Sequence, residues 1–286
     1  MTSKTFTNRK KGSLGRQQMI EVEPNVRLHV IDQGEGPAVV LIPGYPFGAG
    51  SYEYQIHALV KAGFRAIGIS TRGFGLSDQP EGEYTYDVFA DDIKVIMETL
   101  DLKNAFLGGH SMGGSVALHF AAKYGDEHIS KLGLFSAAAP KHTKSDDYPY
   151  PLFTKAEIDR WLDLITTNRP ALMDEVGGRF VLPTNTITPG IFGWLGVLGI
   201  QASPYAMVKA LTSLRDEDLR DDLAKVNVPT LIMHAKEDNI AAYALAEQMH
   251  AGIKNSELIT FDKSGHGSFI EEPEKFNEEL IKFLRK

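Results

Sequence analysis

The sequence lacks cysteine altogether. This absence excludes disulfide scaffolds, thiolate-bound zinc, iron–sulfur clusters and a cysteine nucleophile, because each of them needs a thiol. If the protein uses a nucleophile, it must therefore be an oxygen or a nitrogen atom.

Long apolar runs are also missing. Residues 190–200 (GIFGWLGVLGI) come closest, but glycines interrupt them and they are shorter than the ~18–20 apolar residues of a membrane-spanning helix. Residues 1–16 contain five basic residues and no acidic one, without the apolar stretch of ~7–15 residues that marks a secretory signal. We therefore expect a flexible basic tail over 1–16 and a soluble, cytoplasmic protein with no membrane span.

Basic charge is in deficit, since 30 Lys and Arg stand against 37 Asp and Glu, a net charge of −7. Because residues 1–16 contribute five positive charges, the remainder carries about −12. Such a field repels nucleic acid, and we expect a small-molecule substrate and no nucleic-acid partner. The 286 residues, 43% of them hydrophobic, suffice for one α/β domain with an insertion or for two units in series.

The order of the apolar runs predicts the fold. Short, nearly continuous apolar runs alternate with helix-length segments, a pattern typical of parallel strands buried on both faces of a doubly wound α/β sheet. The predicted strands lie near 38–42, 65–69, 105–107, 132–135, 230–233 and 258–261. The predicted helices lie near 86–100, 112–124, 241–251 and 273–285.

Two segments depart from this alternation. Residues 18–31 favour an antiparallel hairpin at the edge of the sheet. Residues 140–218 contain seven prolines and helical pieces but no buried-strand run. We interpret 140–218 as a helical cap inserted after the sixth strand, and 17–139 together with 219–286 as the core.

The sharpest local motif is Gly109-His110-Ser111-Met112-Gly113, which follows a predicted strand and precedes a helical pattern. It matches G-x-S-x-G in the strand–turn–helix context of a nucleophile elbow. The flanking glycines allow a strained serine backbone, and the helix N-terminus favours developing negative charge. A glycine-rich turn with an incidental serine would contain the same residues; a phosphate loop is disfavoured because no G-x-x-x-x-G-K-[ST] accompanies it.

A serine nucleophile needs a histidine base, which a carboxylate orients. In this architecture the chain order is serine, acid, histidine. His266 lies between two glycines after the last predicted strand, at the carboxyl edge of the sheet where Ser111 also lies. We predict that His266 is the base, and we expect His110 to point elsewhere across the turn and most other histidines to be packing or surface residues.

The acid is expected in the loop after the strand at 230–233, where Glu237 and Asp238 stand side by side. Asp238 is preferred because its side chain is shorter and a helix follows directly. Glu237 as the acid, or an ordinary solvated turn, are the alternatives.

Acyl transfer also requires backbone donors for the tetrahedral oxygen. The N–H of Met112, directly after the serine, is the first candidate. The second is the N–H of Tyr45 in Pro43-Gly44-Tyr45-Pro46, because Gly44 allows close approach and Pro46 has no N–H to donate. A plain Gly/Pro turn would contain the same residue types.

With these motifs in this order, the chain resembles the α/β-hydrolase family over about residues 20–286, and within it the capped bacterial esterases and the cofactor-free haloperoxidase-like perhydrolases. The resemblance implies a Ser111–Asp238–His266 triad, an oxyanion hole from Tyr45 and Met112, and no metal or cofactor. The matching pieces are Pro43-Gly44-Tyr45-Pro46, Arg72-Gly73-Phe74-Gly75-Leu76-Ser77, Gly109-His110-Ser111-Met112-Gly113-Gly114, Glu237-Asp238 and Gly265-His266-Gly267.

The chain departs from the family pattern at two places. Pro43 stands where the family usually has a histidine before the oxyanion glycine, and Ser70-Thr71 stands where the family usually has an acidic residue and one more before Arg72. Haloalkane dehalogenases and epoxide hydrolases are disfavoured, because those relatives have aspartate where this chain has Ser111.

We therefore expect a serine hydrolase that cleaves a small, largely apolar ester. Tyr45, Phe47, Phe192, Trp194 and Leu195 are candidates for the pocket lining, with ordinary core or cap packing as their alternative. The same triad also suits amide, C–C bond or peracid chemistry, and a non-catalytic ligand-binding protein would retain the pocket. An aminopeptidase would need acids for a peptide amine, and those available are Asp146, Asp147, Glu157 and Asp159.

Overall fold

The computed structural model describes residues 16–183 and 187–286, and only the main chain of Arg16 and Asp126. Its centre is an eight-stranded sheet with the order β1-β2-β4-β3-β5-β6-β7-β8. The strands are β1 (Arg16–Glu23), β2 (Val26–Gln33), β3 (Ala38–Ile42), β4 (Arg65–Ile69), β5 (Ala105–His110), β6 (Ile129–Phe135), β7 (Thr230–Ala235) and β8 (Ser256–Phe261).

The sheet is parallel from β4 to β8, while β1 and β2 form an antiparallel hairpin at one edge. The predicted mostly parallel sheet with an edge hairpin is therefore confirmed. Residues 1–15 of the predicted tail lie outside the described residues. Arg16, the last residue of that tail, is instead the first residue of β1 and pairs with Asp32, because the hairpin register extends to the end of β2.

Helices follow most strands and cover both faces of the sheet. In chain order the helices are α1 (Glu53–Lys61), α2 (Tyr86–Thr99), α3 (Met112–His128), α4 (Lys155–Thr167), α5 (Arg169–Phe180), α6 (Pro189–Ile200), α7 (Pro204–Asp216), α8 (Tyr243–Gly252), α9 (Ser268–Glu271) and α10 (Pro273–Leu284). The four predicted helices appear as α2, α3, α8 and α10, of which α3 extends four residues beyond the predicted end.

The alternation of side chains along β3 shows how the core divides. Val40 and Ile42 belong to the apolar cluster that includes α2 and α3, whereas Val39 and Leu41 belong to the cluster that includes α1 and α10. Successive residues of a strand point to opposite faces, so a strand covered by helices on both sides has no polar position. This packing accounts for the continuous apolar runs in the sequence.

The segment between β6 and β7 contains the helices α4 to α7. Each is preceded by a residue whose side chain accepts a hydrogen bond from a main-chain N–H of the first turn: Thr154, Asn168, Thr188 and Ser203. Three of these helices also have proline in the first turn, where its missing N–H costs no helical hydrogen bond. Three of the prolines that set this segment apart from a strand pattern in the sequence therefore lie in the first turns of helices.

Within the described ranges, no single helix has both the length and the apolar composition needed to cross a membrane. The helices α6 and α7 pass that test only as a pair, which is bent by 95°.

Candidate active site

Ser111 lies at the junction of β5 and α3 in a backbone conformation that side chains rarely adopt, with φ 53° and ψ −121°. The surrounding main chain fixes it, because the Ser111 N–H donates to the oxygen of Phe135 at 2.9 Å and its oxygen accepts from Ala138 at 3.1 Å. A Cβ at Gly109 would lie 2.0 Å from the Gly113 oxygen, and one at Gly113 would lie 2.4 Å from the oxygen of Ile42. The two glycines are therefore required for this tight turn.

His266 and Asp238 are joined directly, since Nδ1 of His266 lies 2.8 Å from Oδ2 of Asp238, and both residues are buried. The other carboxylate oxygen of Asp238 accepts from the main-chain N–H groups of Ile240 at 2.9 Å and Ala241 at 2.7 Å. Burial alone would raise the pKa of Asp238, but the neighbouring His266, together with His234 and the Ala241 N–H, outweighs it and holds that pKa below its usual value. The bond to an ionised carboxylate places the imidazole proton on Nδ1 and leaves Nε2 as an acceptor.

His110 brings the serine and histidine segments together. Its Nε2 donates to the main-chain oxygen of His266 at 2.9 Å, and the two rings lie 4.6 Å apart between centroids. Burial, aided by the nearby His266, lowers the pKa of His110 to about 3, so the ring is neutral. His110 thus lies against the histidine loop, which the sequence pattern did not indicate.

The proposed oxyanion donors lie on two segments that meet at Ser111. Met112 provides the first N–H of α3, one of the amides for which a helix supplies no acceptor. On the other segment, a Cβ at Gly44 would lie 2.6 Å from Nδ1 of His110 and 2.9 Å from Cβ of Ser111. Gly44 therefore allows the main chain that leads into Tyr45 to pass directly over the elbow.

A cavity of about 270 Å³ lies between this loop, α5 and α6. Its lining is mostly apolar and includes Tyr45, Phe47, Phe180, Phe192, Leu195 and Gly196. Of the candidate pocket residues, Trp194 instead packs against Tyr54, with the ring centroids 6.0 Å apart.

Phe180, which the sequence analysis did not identify, connects this cavity with the histidine. Its ring lies 5.6 Å from that of Phe47 and 5.5 Å from that of His266, so one side chain contacts both. It ends α5, at a position that no sequence motif marks.

Two further buried histidines lie close to the Asp238–His266 pair. Nε2 of His234 is 2.6 Å from the oxygen of Ala241 and 3.4 Å from Oδ2 of Asp238, and burial lowers its pKa. His142 has no hydrogen-bond partner for either ring nitrogen among the described residues. Burial and then the nearby His266 lower its pKa to about 4, so it is neutral.

Three of the four acids considered for a peptide amine make other interactions. Asp147 pairs with Arg220, Asp159 pairs with Arg215, and Glu157 completes the capping box of α4. Among the residues that the structure describes, no group of three or more His, Asp or Glu side chains could hold a metal ion.

Comparison with known sequences identifies similar proteins. A family model described as alpha/beta hydrolase fold matches residues 37–178, and one described as TAP-like protein matches residues 207–286. The AB hydrolase superfamily protein YisY of Bacillus subtilis (strain 168) is 42% identical over 264 residues, which cover 92% of this chain and 97% of that protein.

Solved structures are similar over the same extent. An esterase (EaEST) from Exiguobacterium antarcticum is 39% identical with a TM-score of 0.88, and the match covers 91% of this chain and 96% of that one. A bromoperoxidase from Bacillus anthracis is 32% identical with a TM-score of 0.92 and coverage of 95% and 100%. The likeness therefore includes the sheet and the segment between β6 and β7.

Proposed function

The chain belongs to the α/β-hydrolase superfamily and is a hydrolase, and we propose that it cleaves small, largely apolar carboxylic esters with a Ser111–His266–Asp238 triad. The observation that carries this proposal is the 2.8 Å bond between His266 and Asp238, in a loop that His110, the residue before the strained Ser111, contacts through a hydrogen bond. A buried carboxylate that fixes the tautomer of a histidine is the arrangement that activates a serine hydroxyl. The similar esterase of known structure supports the same reaction class.

In the first half of the reaction, Oγ of Ser111 attacks the ester carbonyl carbon while Nε2 of His266 takes the hydroxyl proton. Asp238 stabilises the imidazolium, and the N–H groups of Tyr45 and Met112 bind the oxygen of the tetrahedral intermediate. When the intermediate collapses, the imidazolium gives its proton to the leaving alkoxide. The alcohol departs and the acyl group remains on Ser111.

In the second half, His266 takes a proton from water as that water attacks the acyl carbon. Collapse of the second tetrahedral intermediate returns the proton to Oγ of Ser111 and releases the carboxylic acid. Each half transfers one proton to His266 and one away from it, so the enzyme returns to its starting state.

The substrate class follows from the cavity. Its volume of about 270 Å³ and its largely apolar lining suit a short or medium apolar group, and Asp174 is the one charged residue among the described residues that line it. In this proposal, residues 140–218 act as the cap, because α5 and α6 supply one side of the cavity and the Tyr45 loop supplies the other.

A second candidate reaction is perhydrolysis, favoured by the similarity to a bromoperoxidase over nearly the whole chain. Hydrogen peroxide would then replace water in the second half, attack the acyl carbon of acyl-Ser111 and leave as a peracid. Both reactions share the acyl-enzyme, so the product depends on whether water or hydrogen peroxide attacks its acyl carbon.

Fluorophosphonate labelling of Ser111 and hydrolysis of p-nitrophenyl acetate test the proposal. We expect wild-type protein to be labelled and active, Ser111→Ala to lose both properties while remaining folded, and Ser115→Ala, one turn further along α3, to retain both. An active Ser111→Ala protein would refute the mechanism, and folded wild-type protein that resists labelling would favour a ligand-binding protein. Adding hydrogen peroxide and assaying for peracid distinguishes perhydrolysis from ester hydrolysis.

A further inference from the structure

The carboxylate of Glu271, on the short helix α9, bridges two segments that are distant in sequence. Its Oε2 accepts from the main-chain N–H of Gly265 at 2.8 Å, and its Oε1 accepts from the main-chain N–H of Leu182 at 2.7 Å. Gly265 precedes His266, and Leu182 follows the end of α5. One side chain therefore holds the histidine loop and the end of α5 together.

The segment joined to Glu271 is also part of the cavity wall. Phe180 lines the cavity, its ring contacts His266, and its main-chain oxygen accepts from the N–H of Gly267 at 2.8 Å. A Cβ at Gly267 would lie 2.6 Å from the Phe180 ring, so the two segments are in close contact. A shift of either segment would therefore move the other.

Burying the carboxylate of Glu271 is energetically unfavourable, which is unusual for a residue that only links two segments. Its side chain is buried, and among the described residues its carboxylate oxygens accept hydrogen bonds from main-chain N–H groups and from no lysine or arginine. Burial, together with the negative charges of Glu272 and Asp238, raises its pKa to about 7. A buried carboxylate without a cationic partner is unfavourable unless its oxygens are hydrogen-bonded, as they are here.

We propose that Glu271 is a positioning residue, which holds the His266 imidazole and the Phe180 wall of the cavity in one arrangement. This inference rests on the proposed function, because it concerns the base and the pocket of that reaction. Glu271 acts on the proton transfer through His266 and on the choice of acyl group through Phe180. It contacts neither the substrate nor the reacting atoms.

The chemistry of the two bonds predicts how the side chain can be replaced. Glutamine has one acceptor oxygen and one NH2 group, so it can accept from one of the two N–H groups but faces the other with a donor. Aspartate keeps the charge but is one methylene shorter, so it cannot span both segments unchanged. Each variant therefore weakens the link by a different route.

The test compares Glu271→Gln with Glu278→Gln, the same change at an exposed position of α10. Active sites are counted by fluorophosphonate labelling, so that unfolded protein does not enter kcat. We expect Glu271→Gln to lower kcat for p-nitrophenyl acetate about ten- to a hundredfold, because small displacements of a catalytic group have effects of this size. We also expect its butyrate-to-acetate ratio of kcat/KM to change at least about threefold, which corresponds to ~0.7 kcal/mol, and Glu278→Gln to match the wild type.

If the role of Glu271 is purely structural, Glu271→Gln will lower the melting temperature but leave kcat per labelled site and the butyrate-to-acetate ratio unchanged. This result would overturn the inference. Glu271→Asp is the second variant, and an unchanged kcat and unchanged ratio in a folded Glu271→Asp protein would overturn it as well. Failure of the proposed function is distinguishable, because the wild type itself would then be neither labelled nor active.

The pH profile gives a further readout that a structural role would not move. The charged groups acting most strongly on Glu271 are Glu272, at the end of α9, and Asp238, in the loop after β7. Protonation of Glu271 near neutral pH removes one acceptor, so Glu271 should contribute to the loss of kcat that the wild type shows towards acid pH. Glu271→Gln has no carboxyl group to protonate at this position, so its acid limb should be shallower than that of the wild type; identical limbs would contradict the proposal.

Discussion

Nε2 of His110 lies 2.9 Å from the main-chain oxygen of His266, a residue 156 positions further along the chain. Because a carbonyl oxygen only accepts, this contact requires the proton on Nε2 and leaves Nδ1 unprotonated. The residue next to Ser111 thus holds the loop of the proposed base. The G-x-S-x-G motif therefore supplies a support for His266 in addition to the serine.

This hydrogen bond predicts different effects for two substitutions of His110. His110→Phe keeps a ring but removes the donor, and leaving a buried carbonyl unpaired costs about 1–3 kcal/mol. A loop that shifts to relieve this cost displaces His266, so we expect kcat for p-nitrophenyl acetate to fall about tenfold. His110→Gln, whose amide can reach the same carbonyl, should retain most of the activity. Equal kcat values per labelled site in the two variants would show that the hydrogen bond does not matter.

The bond between Asp238 and His266 makes a second prediction. Asp238→Asn removes the charge that stabilises the imidazolium and favours the wrong tautomer of His266. In serine proteases that change costs about 10⁴-fold in kcat, and we expect a loss of this order here. Glu237→Gln, at the exposed neighbouring position, is the matched control and should be as active as the wild type. The opposite ranking of the two variants in kcat would identify Glu237 as the acid.

Much of this architecture could be predicted because local patterns determine it. The alternation of apolar runs and helices predicts a parallel sheet, and the strand ends of such a sheet meet at one edge. Ser111, Asp238 and His266 each directly follow or lie close after a strand, so their convergence followed from topology without any knowledge of packing. Gly109 and Gly113 could also be assigned to the elbow from sequence, because a tight strand–turn–helix junction leaves no space for side chains at those positions.

The contacts that hold the site together could not be predicted in this way. The bonds from Glu271 to Leu182 and from His110 to His266 join segments 89 and 156 residues apart, and their formation depends on how helices pack onto the sheet. His142 lies in the loop after β6 and Phe180 is the last residue of α5, and the sequence does not show that either packs near His266. The sequence also could not show whether Trp194 lines the cavity, because nearly every residue of α6 is apolar and composition alone does not show which side of the helix faces the cavity.

Glycines in α5 provide a test of the cavity as the acyl site. Gly177 lines the cavity, and among the described residues no atom lies within 4 Å of a Cβ built on it, beyond those of its own helix and chain neighbours. A side chain can therefore leave the helix at Gly177 without a clash at its Cβ, and Gly177→Leu should narrow the cavity, so we expect kcat/KM for p-nitrophenyl octanoate to fall about tenfold relative to acetate. Replacement of a helical glycine also stabilises the helix by roughly 0.5–1 kcal/mol, so loss of the fold is not expected.

Gly125→Leu is the control for Gly177→Leu, because Gly125 lies in α3 and also has open space at its Cβ position in the described part of the chain. It should show the same gain in helix stability with no change in chain-length preference. If Gly177→Leu leaves the octanoate-to-acetate ratio unchanged, the acyl chain binds elsewhere.

The buried, unpartnered His142 predicts how stability depends on pH. Its pKa is lowered to about 4 by burial and then by His266, whereas the unfolded chain has the ordinary value of 6.5. As the pH falls below 6.5 the unfolded state takes up a proton that the folded state does not, so stability is lost between about pH 6.5 and pH 4. At pH 5 the contribution of His142 to this loss is about 2 kcal/mol.

His142→Phe should remove this contribution, since phenylalanine keeps the ring against Phe153, 5.4 Å away, and does not titrate. The measurement is the free energy of unfolding in urea at pH 7 and pH 5. We expect the difference between the two pH values to be about 2 kcal/mol smaller in His142→Phe than in the wild type. Glu271, whose pKa is raised, works in the opposite direction, because its contribution is lost as the pH rises towards 7; it is present in both proteins and cancels. The exposed control His57→Phe should keep the wild-type difference, and an unchanged difference in His142→Phe would mean that this ring already binds its proton in the folded state.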